Sequence, residues 1–201
     1  MSNELKRAAE RLPSGPLPDI GGAAATAGLL DVAYATLDSP VGKLLLASTP
    51  IGLVRLAYVD YADEESVLAD LAARVSPRVL AAPRKLDEPR RELEQYFAGA
   101  REHFDLPVDW TLTRGFGRRV LQATARIPFG AVSTYKQVAS EAGSPRAHRA
   151  AGNALGSNPL PIVVPCHRVL HSGGGLGGYT GGLERKRLLL GVEGVTNLTR
   201  R

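Results

Sequence analysis

The sequence predicts an α/β protein in two parts: a small N-terminal antiparallel-sheet α/β domain, followed by a mostly helical C-terminal domain that contains a helix-turn-helix. Three observations lead there. Short runs of strand-forming residues separated by Gly/Pro turns fill residues 32–59. Apolar residues recur at helical spacing from residue 63 onward. Two short helical stretches flank Gly143, a residue suited to a tight turn between helices. With 201 residues, 44% of them hydrophobic, the chain has material for one large domain or two small ones.

Residues 1–30 read as a flexible extension. A short amphipathic helix from Glu4 to Leu12 precedes Pro13, Pro16, Pro18 and a Gly/Ala-rich run. Residues 31–113 form the N-terminal α/β domain. Strands are expected over Val32–Thr36, Lys43–Ser48 and Leu53–Val59, joined as an antiparallel meander by Ser39-Pro40-Val41-Gly42 and Thr49-Pro50-Ile51-Gly52. Helices follow at Asp63–Val75, with acids in its first turn, and at Pro89–Ala98, with Leu93, Tyr96 and Phe97 on the buried side. This part shows no cluster suited to chemistry; His103 and the acids read as surface residues.

Residues 114–201 form the second domain. Phe116–Arg126 is amphipathic and stops at Ile127-Pro128-Phe129-Gly130. Ser133/Thr134 caps a helix from Tyr135 to about Ala142, which Gly143 ends in the left-handed conformation. Ser144 then reads as an N-cap with Pro145 at the first helical position of Arg146–Leu155. That helix carries Arg149 among small residues, Ala147, Ala150, Ala151, Gly152 and Ala154. They suit either close approach to a partner or helix-on-helix packing. A last helix, Leu183 to about Val192, shows a basic face (Arg185, Lys186, Arg187) and an apolar one (Leu188, Leu189), with Glu193 just beyond.

Charge divides with the fold. Arg114–Arg201 holds 13 Lys+Arg against 3 Asp+Glu, whereas Met1–Thr113 holds 12 against 17. A basic half joined to an acidic half suits a polyanionic partner such as nucleic acid. The single cysteine excludes an intrachain disulfide and a cysteine-rich zinc site, and fits a reducing compartment. No run approaches the length of a membrane span, and the first residues lack a signal-peptide core. A soluble, cytoplasmic protein is expected.

The chemistry points to Pro161-Ile162-Val163-Val164-Pro165-Cys166-His167-Arg168-Val169. A thiol beside an imidazole is a nucleophile with a candidate base. The glycine-rich Gly173–Gly182 loop around Tyr179 lets backbone approach a ligand, and it lacks the Gly-Lys-Ser/Thr of a phosphate-binding loop.

Pro165-Cys166-His167-Arg168-Val169, preceded by Asn158-Pro159-Leu160-Pro161-Ile162 and followed by Gly178-Tyr179-Thr180-Gly181-Gly182-Leu183, closely resembles the methylated-DNA–protein-cysteine methyltransferases. Ile127 to Tyr135 resembles them too. The strong similarity runs from about Gly115 to Gly194; the first domain fits only in outline. The resemblance implies DNA repair by single-turnover transfer of the alkyl group of O6-alkylguanine, and of O4-alkylthymine, to Cys166. His167 would act as base through a water, Glu193 would orient it, and Tyr135 would donate to the displaced guanine. Arg149 would fill the space left by a nucleotide flipped into the minor groove, with Ala150 on the same close-approach surface. Asn158 would link this helix to the active-site turn. Val169, Tyr179, Thr180 and Leu155 would wall the base pocket.

Lys136, with Arg114 and Arg118, is a candidate phosphate contact. The expected partner is double-stranded DNA containing O6-alkylguanine, bound by a monomer that needs no cofactor, metal or membrane. Thr180 stands where several family members have serine, and Ala131 where a more polar residue is often seen. The zinc-binding cysteines of some relatives are absent. A sister group that only binds damage has tryptophan at the position of Cys166. A non-enzymatic DNA-binding damage sensor is the alternative of a different class, and a cysteine hydrolase is more distant.

Overall fold

The structure is a computed structural model that describes residue 22, residues 27–60 and residues 62–196. The helix expected at Glu4–Leu12, and most of the flexible extension expected over residues 1–30, lie outside the described residues.

Strands β1 (Val32–Leu37), β2 (Leu44–Ser48) and β3 (Leu53–Tyr58) form the expected meander, with β1 and β3 antiparallel to β2. A fourth strand, β4 (Val79–Ala81), pairs parallel to β1 and sets the order β3-β2-β1-β4. Its three residues are too few for an alternating pattern to register in the sequence. β2 is apolar on both faces because the sheet is covered on both. On one side α1 (Glu64–Arg74), capped by Asp63, sets Val67 and Leu71 against Leu45, Ala47 and Val54. On the other, Leu44, Leu46 and Leu56 share one apolar cluster with Leu93 and Tyr96 of α2 (Asp87–Phe97) and with Leu160 and Ile162 of the C-terminal half. Each such buried leucine contributes about 2 kcal/mol, so the sheet and the helical half are held along a continuous core.

α2 starts two residues before the expected Pro89, after a 3-10 turn at Pro83–Leu86. Proline is tolerated there because first-turn N–H groups have no helical acceptor. The expectation that the acids of this half lie on the surface is corrected for two of them. Glu92 is 2% exposed, lies 3.4 Å from Arg101 and accepts from the Asp105 N–H, while buried Asp109 accepts from Thr49 and Thr111. Both brace the segment that covers the edge of β3, where the Leu53 N–H donates to Pro107 O.

The helical half contains α3 (Gly115–Thr124), the two-residue strand β5 (Ser133–Thr134), α4 (Tyr135–Glu141), α5 (His148–Gly156), β6 (Val169–Leu170), parallel to β5, and α6 (Leu183–Val192). Thr134 caps α4 in a capping box with Gln137, and Gly143 takes φ +81°, as expected. The start of α5 differs from expectation. Ser144 does not cap it; Ser144–Ala147 closes a turn, with the Ala147 N–H donating to Ser144 O, and the helix begins at His148. Ser-Pro opens a β-turn as readily as a helix, and here the turn wins. Arg146 therefore precedes the helix, and Arg149 lies in its first turn.

Candidate active site

Cys166 opens a short 3-10 turn (Cys166–Arg168) that runs into β6. Asn158, just past α5, organises the loop before it. Its Nδ2 donates to Val164 O (2.8 Å) and to the Cys166 sulfur (3.2 Å), and its Oδ1 accepts from the Leu160 N–H (3.0 Å). The loop also leans on the sheet, since the Leu56 N–H of β3 donates to Pro159 O. Ile162 within it has φ +75°, a conformation β-branched residues rarely adopt, and its side chain is fully buried. Packing from both halves holds that strained residue in place. Cys166 is 5% exposed. Burial raises its thiol above the ordinary range, while the Asn158 amide and the charge of Lys186 pull the other way, so the resting group is a protonated thiol.

Behind the cysteine stands a buried relay. His167 Nε2 lies 2.8 Å from Glu193 Oε1. Glu193, at the C-terminal cap of α6, also receives Arg168 through Nε (2.8 Å) and Nη2 (2.9 Å), the Tyr96 hydroxyl (2.7 Å) and the Gly130 N–H (3.4 Å). Burial pushes the Glu193 carboxyl up, but its bonds to His167 and Arg168 outweigh that and hold it at about 2. An ionised carboxylate only accepts, so Nε2 carries the imidazole proton. Burial lowers His167 below the usual histidine range against the pull of Glu193, keeping the ring neutral. The basic lone pair therefore sits on Nδ1, which is buried without a hydrogen-bond partner. A neutral imidazole with a free Nδ1, oriented by a carboxylate, is a general base waiting for a proton.

A cavity of about 600 Å³ opens above the sulfur. Among its lining residues are Cys166, Tyr135, Lys136, Arg149, Leu155, Tyr179 and Thr180. Seven of the twelve residues singled out in the sequence thus face one space, and three more, His167, Glu193 and Asn158, support it from behind. Val169 and Ala150 fall outside. Val169 is fully buried in β6 and offers its carbonyl to Lys186; Ala150 is exposed on α5. The Thr180 hydroxyl donates to Gly156 O (2.8 Å), tying the glycine loop to the end of α5. Tyr135 packs on His171 (5.2 Å between ring centroids), and burial raises its phenol, leaving it a proton donor. Gly177 has φ +68°, and a Cβ there would sit 2.5 Å from the Tyr135 oxygen, so only glycine fits beside that hydroxyl. Among the described residues no cluster of His, Cys, Asp and Glu is suited to a metal.

Comparison with known proteins agrees with this geometry. Residues 32–110 match the ribonuclease-like domain of 6-O-methylguanine DNA methyltransferase, and residues 115–195 match its DNA-binding domain. The chain belongs to this family. It is 42% identical to a methylated-DNA–protein-cysteine methyltransferase of Mycolicibacterium paratuberculosis over 81% of this chain and 92% of that protein. It is 36% identical to the constitutive methylated-DNA–protein-cysteine methyltransferase of Bacillus subtilis, over 81% and 96%. The crystal structure of Mycobacterium tuberculosis OGT in complex with DNA superposes with a TM-score of 0.69 at 38% identity, covering 81% of this chain and 93% of that one.

For a methyltransferase of this family, four features of the site were not anticipated. The N-terminal half, read as chemically silent, sends Tyr96 to Glu193 and Tyr58 to Tyr179, whose hydroxyls lie 2.7 Å apart. A tyrosine on a buried helix or strand face needs a partner for its hydroxyl, and that was the available signal. Lys186, assigned to a basic surface, is fully buried, whereas Leu188, assigned to the apolar face, is 38% exposed. Lys186 lies three and four residues before Leu189 and Leu190, on the same face, so the spacing already placed it inside. Its ammonium donates to the carbonyls of Val169 (2.7 Å), Gly178 (3.4 Å) and Leu176, and burial pushes it down to about 8. Arg118 is tied down more than expected, its Nε and Nη2 donating to Thr113 O and its Nη2 also to Trp110 O, while Arg114 and Lys136 stay exposed. Lys186→Met would leave the Val169 and Leu176 carbonyls without this donor. We expect it to cost about 2–4 kcal/mol in stability, read as a lowered urea midpoint with the slope unchanged.

Proposed function

We propose that this protein repairs DNA by moving the alkyl group of O6-alkylguanine, and of O4-alkylthymine, irreversibly onto Cys166, once per molecule. The observation that carries this reading is a unique thiol beneath a 600 Å³ cavity, with an imidazole–carboxylate relay behind it and Arg149 at its rim. His167 accepts the thiol proton at Nδ1 through a water. The thiolate attacks the alkyl carbon, the S–C bond forms as the C–O6 bond breaks, and the electron pair leaves on the guanine. Tyr135 donates its hydroxyl proton at the minor-groove edge of the base, so the leaving group departs neutral. The thioether product resists hydrolysis, and the alkyl group arrives with the DNA, so no cofactor enters.

A base inside a duplex cannot reach a sulfur that is 5% exposed, so the nucleotide is flipped out. α5 enters the minor groove, Arg149 replaces the flipped base in the stack, and Ala150 allows the close approach. Asn158 couples α5 to the cysteine turn, and Leu155, Tyr179 and Thr180 hold the base, with Val169 behind them. Lys136 contacts phosphate. In this reading residues 31–113 form the N-terminal domain, residues 114–201 the DNA-binding and alkyl-acceptor domain, and the protein acts as a cytoplasmic monomer. Among the described residues no helix is long and apolar enough to cross a membrane.

The test is a mass measurement after incubation with a duplex containing one O6-methylguanine. A gain of one methyl group, mapped to Cys166, is expected. Unchanged mass with tight binding would establish a damage sensor instead. Arg149→Ala is expected to slow transfer from duplex about 100-fold, the loss of a few kcal/mol of flipping energy, with far less loss toward the free base. Equal loss on both substrates would refute the flipping role.

A further inference from the structure

Resting on the alkyl-transfer reading, we infer that Tyr96, from the N-terminal half, is a positioning residue of the proton relay: its hydroxyl holds the Glu193 oxygen that orients His167. Three donors converge on Glu193 Oε1: His167 Nε2 at 2.8 Å, Arg168 Nη2 at 2.9 Å and the Tyr96 hydroxyl at 2.7 Å. Two of them come from the Cys166–Arg168 turn itself. Only Tyr96 reaches across from the other half, 97 residues away in sequence. Its ring is fully buried against Phe97, Phe104 and Phe129, so the hydroxyl has little freedom to leave. Burial and the neighbouring carboxylate keep the phenol protonated, and a carboxylate cannot donate back, so the bond has one direction.

The consequence concerns how strongly Glu193 grips His167. A carboxylate shares its charge among its donors. Removing the Tyr96 hydroxyl leaves more of that charge facing His167 Nε2–H, which favours the imidazolium form. The other ionisable groups around the pair are Arg168 and Lys186, which disfavour a charged ring, and the Cys166 thiol; the Tyr179 ring lies edge-on at 6.4 Å. None of these changes when Tyr96 loses its oxygen. With its hydroxyl in place, Tyr96 keeps Nδ1 unprotonated to lower pH, and the N-terminal half takes part in catalysis without touching the substrate.

The experiment measures single-turnover transfer against pH for wild type, Tyr96→Phe and Phe104→Leu, using a duplex with one O6-methylguanine and, separately, free O6-methylguanine. Phe104→Leu disturbs the same packing without touching Glu193. For Tyr96→Phe the acid limb is expected to move up by about half a pH unit, equally on both substrates, with a lower plateau. Phe104→Leu is expected to leave the limb in place while lowering the thermal midpoint. An unchanged limb in Tyr96→Phe, an equal shift in Phe104→Leu, or a Tyr96→Phe chain that fails to fold would each overturn the inference and make the hydroxyl a purely structural group. Absence of transfer in the wild type would instead refute the alkyl-transfer reading itself.

Discussion

Cys166→Ser is expected to bind alkylated duplex DNA and gain no mass. The replacement is nearly isosteric in a site that is 5% exposed and held by Asn158, so the fold and the Arg149 surface stay intact. The chemistry does not survive. A serine hydroxyl is far less acidic than a thiol, and a neutral imidazole at His167 cannot ionise it. Oxygen is also a harder, poorer nucleophile toward an sp3 alkyl carbon than sulfur. The loss is expected to be at least about 10⁴-fold, the scale seen when a nucleophile is removed from a preorganised site. Intact-mass spectrometry reads it directly, beside a wild-type protein that takes up one methyl and then stops. A methylated Cys166→Ser chain would mean that another residue is the acceptor.

Glu193→Gln is the second large effect, and it acts on stability and rate together. Among the described residues, Glu193 is the only anion at the point where His167, Arg168, Tyr96 and the Gly130 N–H converge. An amide presents one acceptor oxygen and turns an NH2 toward these donors, leaving the Arg168 charge buried without its counter-ion. Removing one partner of a buried pair costs about 3–5 kcal/mol, and misorienting the base slows transfer by about 100-fold or more. The pH dependence follows from the same carboxylate. Its folded value of about 2 lies below the ordinary 4.5. The native state therefore binds the proton more weakly than the unfolded chain. The resulting stability, about 3 kcal/mol, is fully present above pH 4.5 and is lost as pH falls toward 2. Denaturant unfolding at pH 6 and at pH 3 measures it. Wild type is expected to lose about 2 kcal/mol of this increment by pH 3 and Glu193→Gln to lack it at both values. An equal acid loss in both proteins would place the acid-sensitive group elsewhere.

How much of the site was legible depended on whether its residues lie close together in sequence. Cys166, His167 and Arg168 are consecutive, and Asn158, Tyr179 and Thr180 lie within fourteen residues of the cysteine, so a motif can contain them. The meander, α4 with its Thr134 cap, and α6 were readable because propensity, turn chemistry and period agreed locally. The start of α5 was misplaced where one dipeptide, Ser144-Pro145, serves two local structures equally well. β4 was missed because its partner, β1, is remote and its own signal is three residues long.

Amino-acid order alone carried the two-part α/β architecture, the lone nucleophile and the basic half; of the twelve residues singled out from it, ten line or back the cavity over Cys166, and Val169 and Ala150 do not. It could not choose which histidine nitrogen bears the proton, since that follows from a carboxylate ionised by five donors from three parts of the chain. Nor could it aim the Lys186 ammonium at the Val169 and Leu176 carbonyls or give Tyr96 and Tyr58 a part in the site. These depend on which faces are buried against which, and burial is a property of the packed whole. A lysine among basic neighbours and a tyrosine on an apolar face acquire their chemistry only when long-range contacts exclude water and leave each polar atom a single available partner.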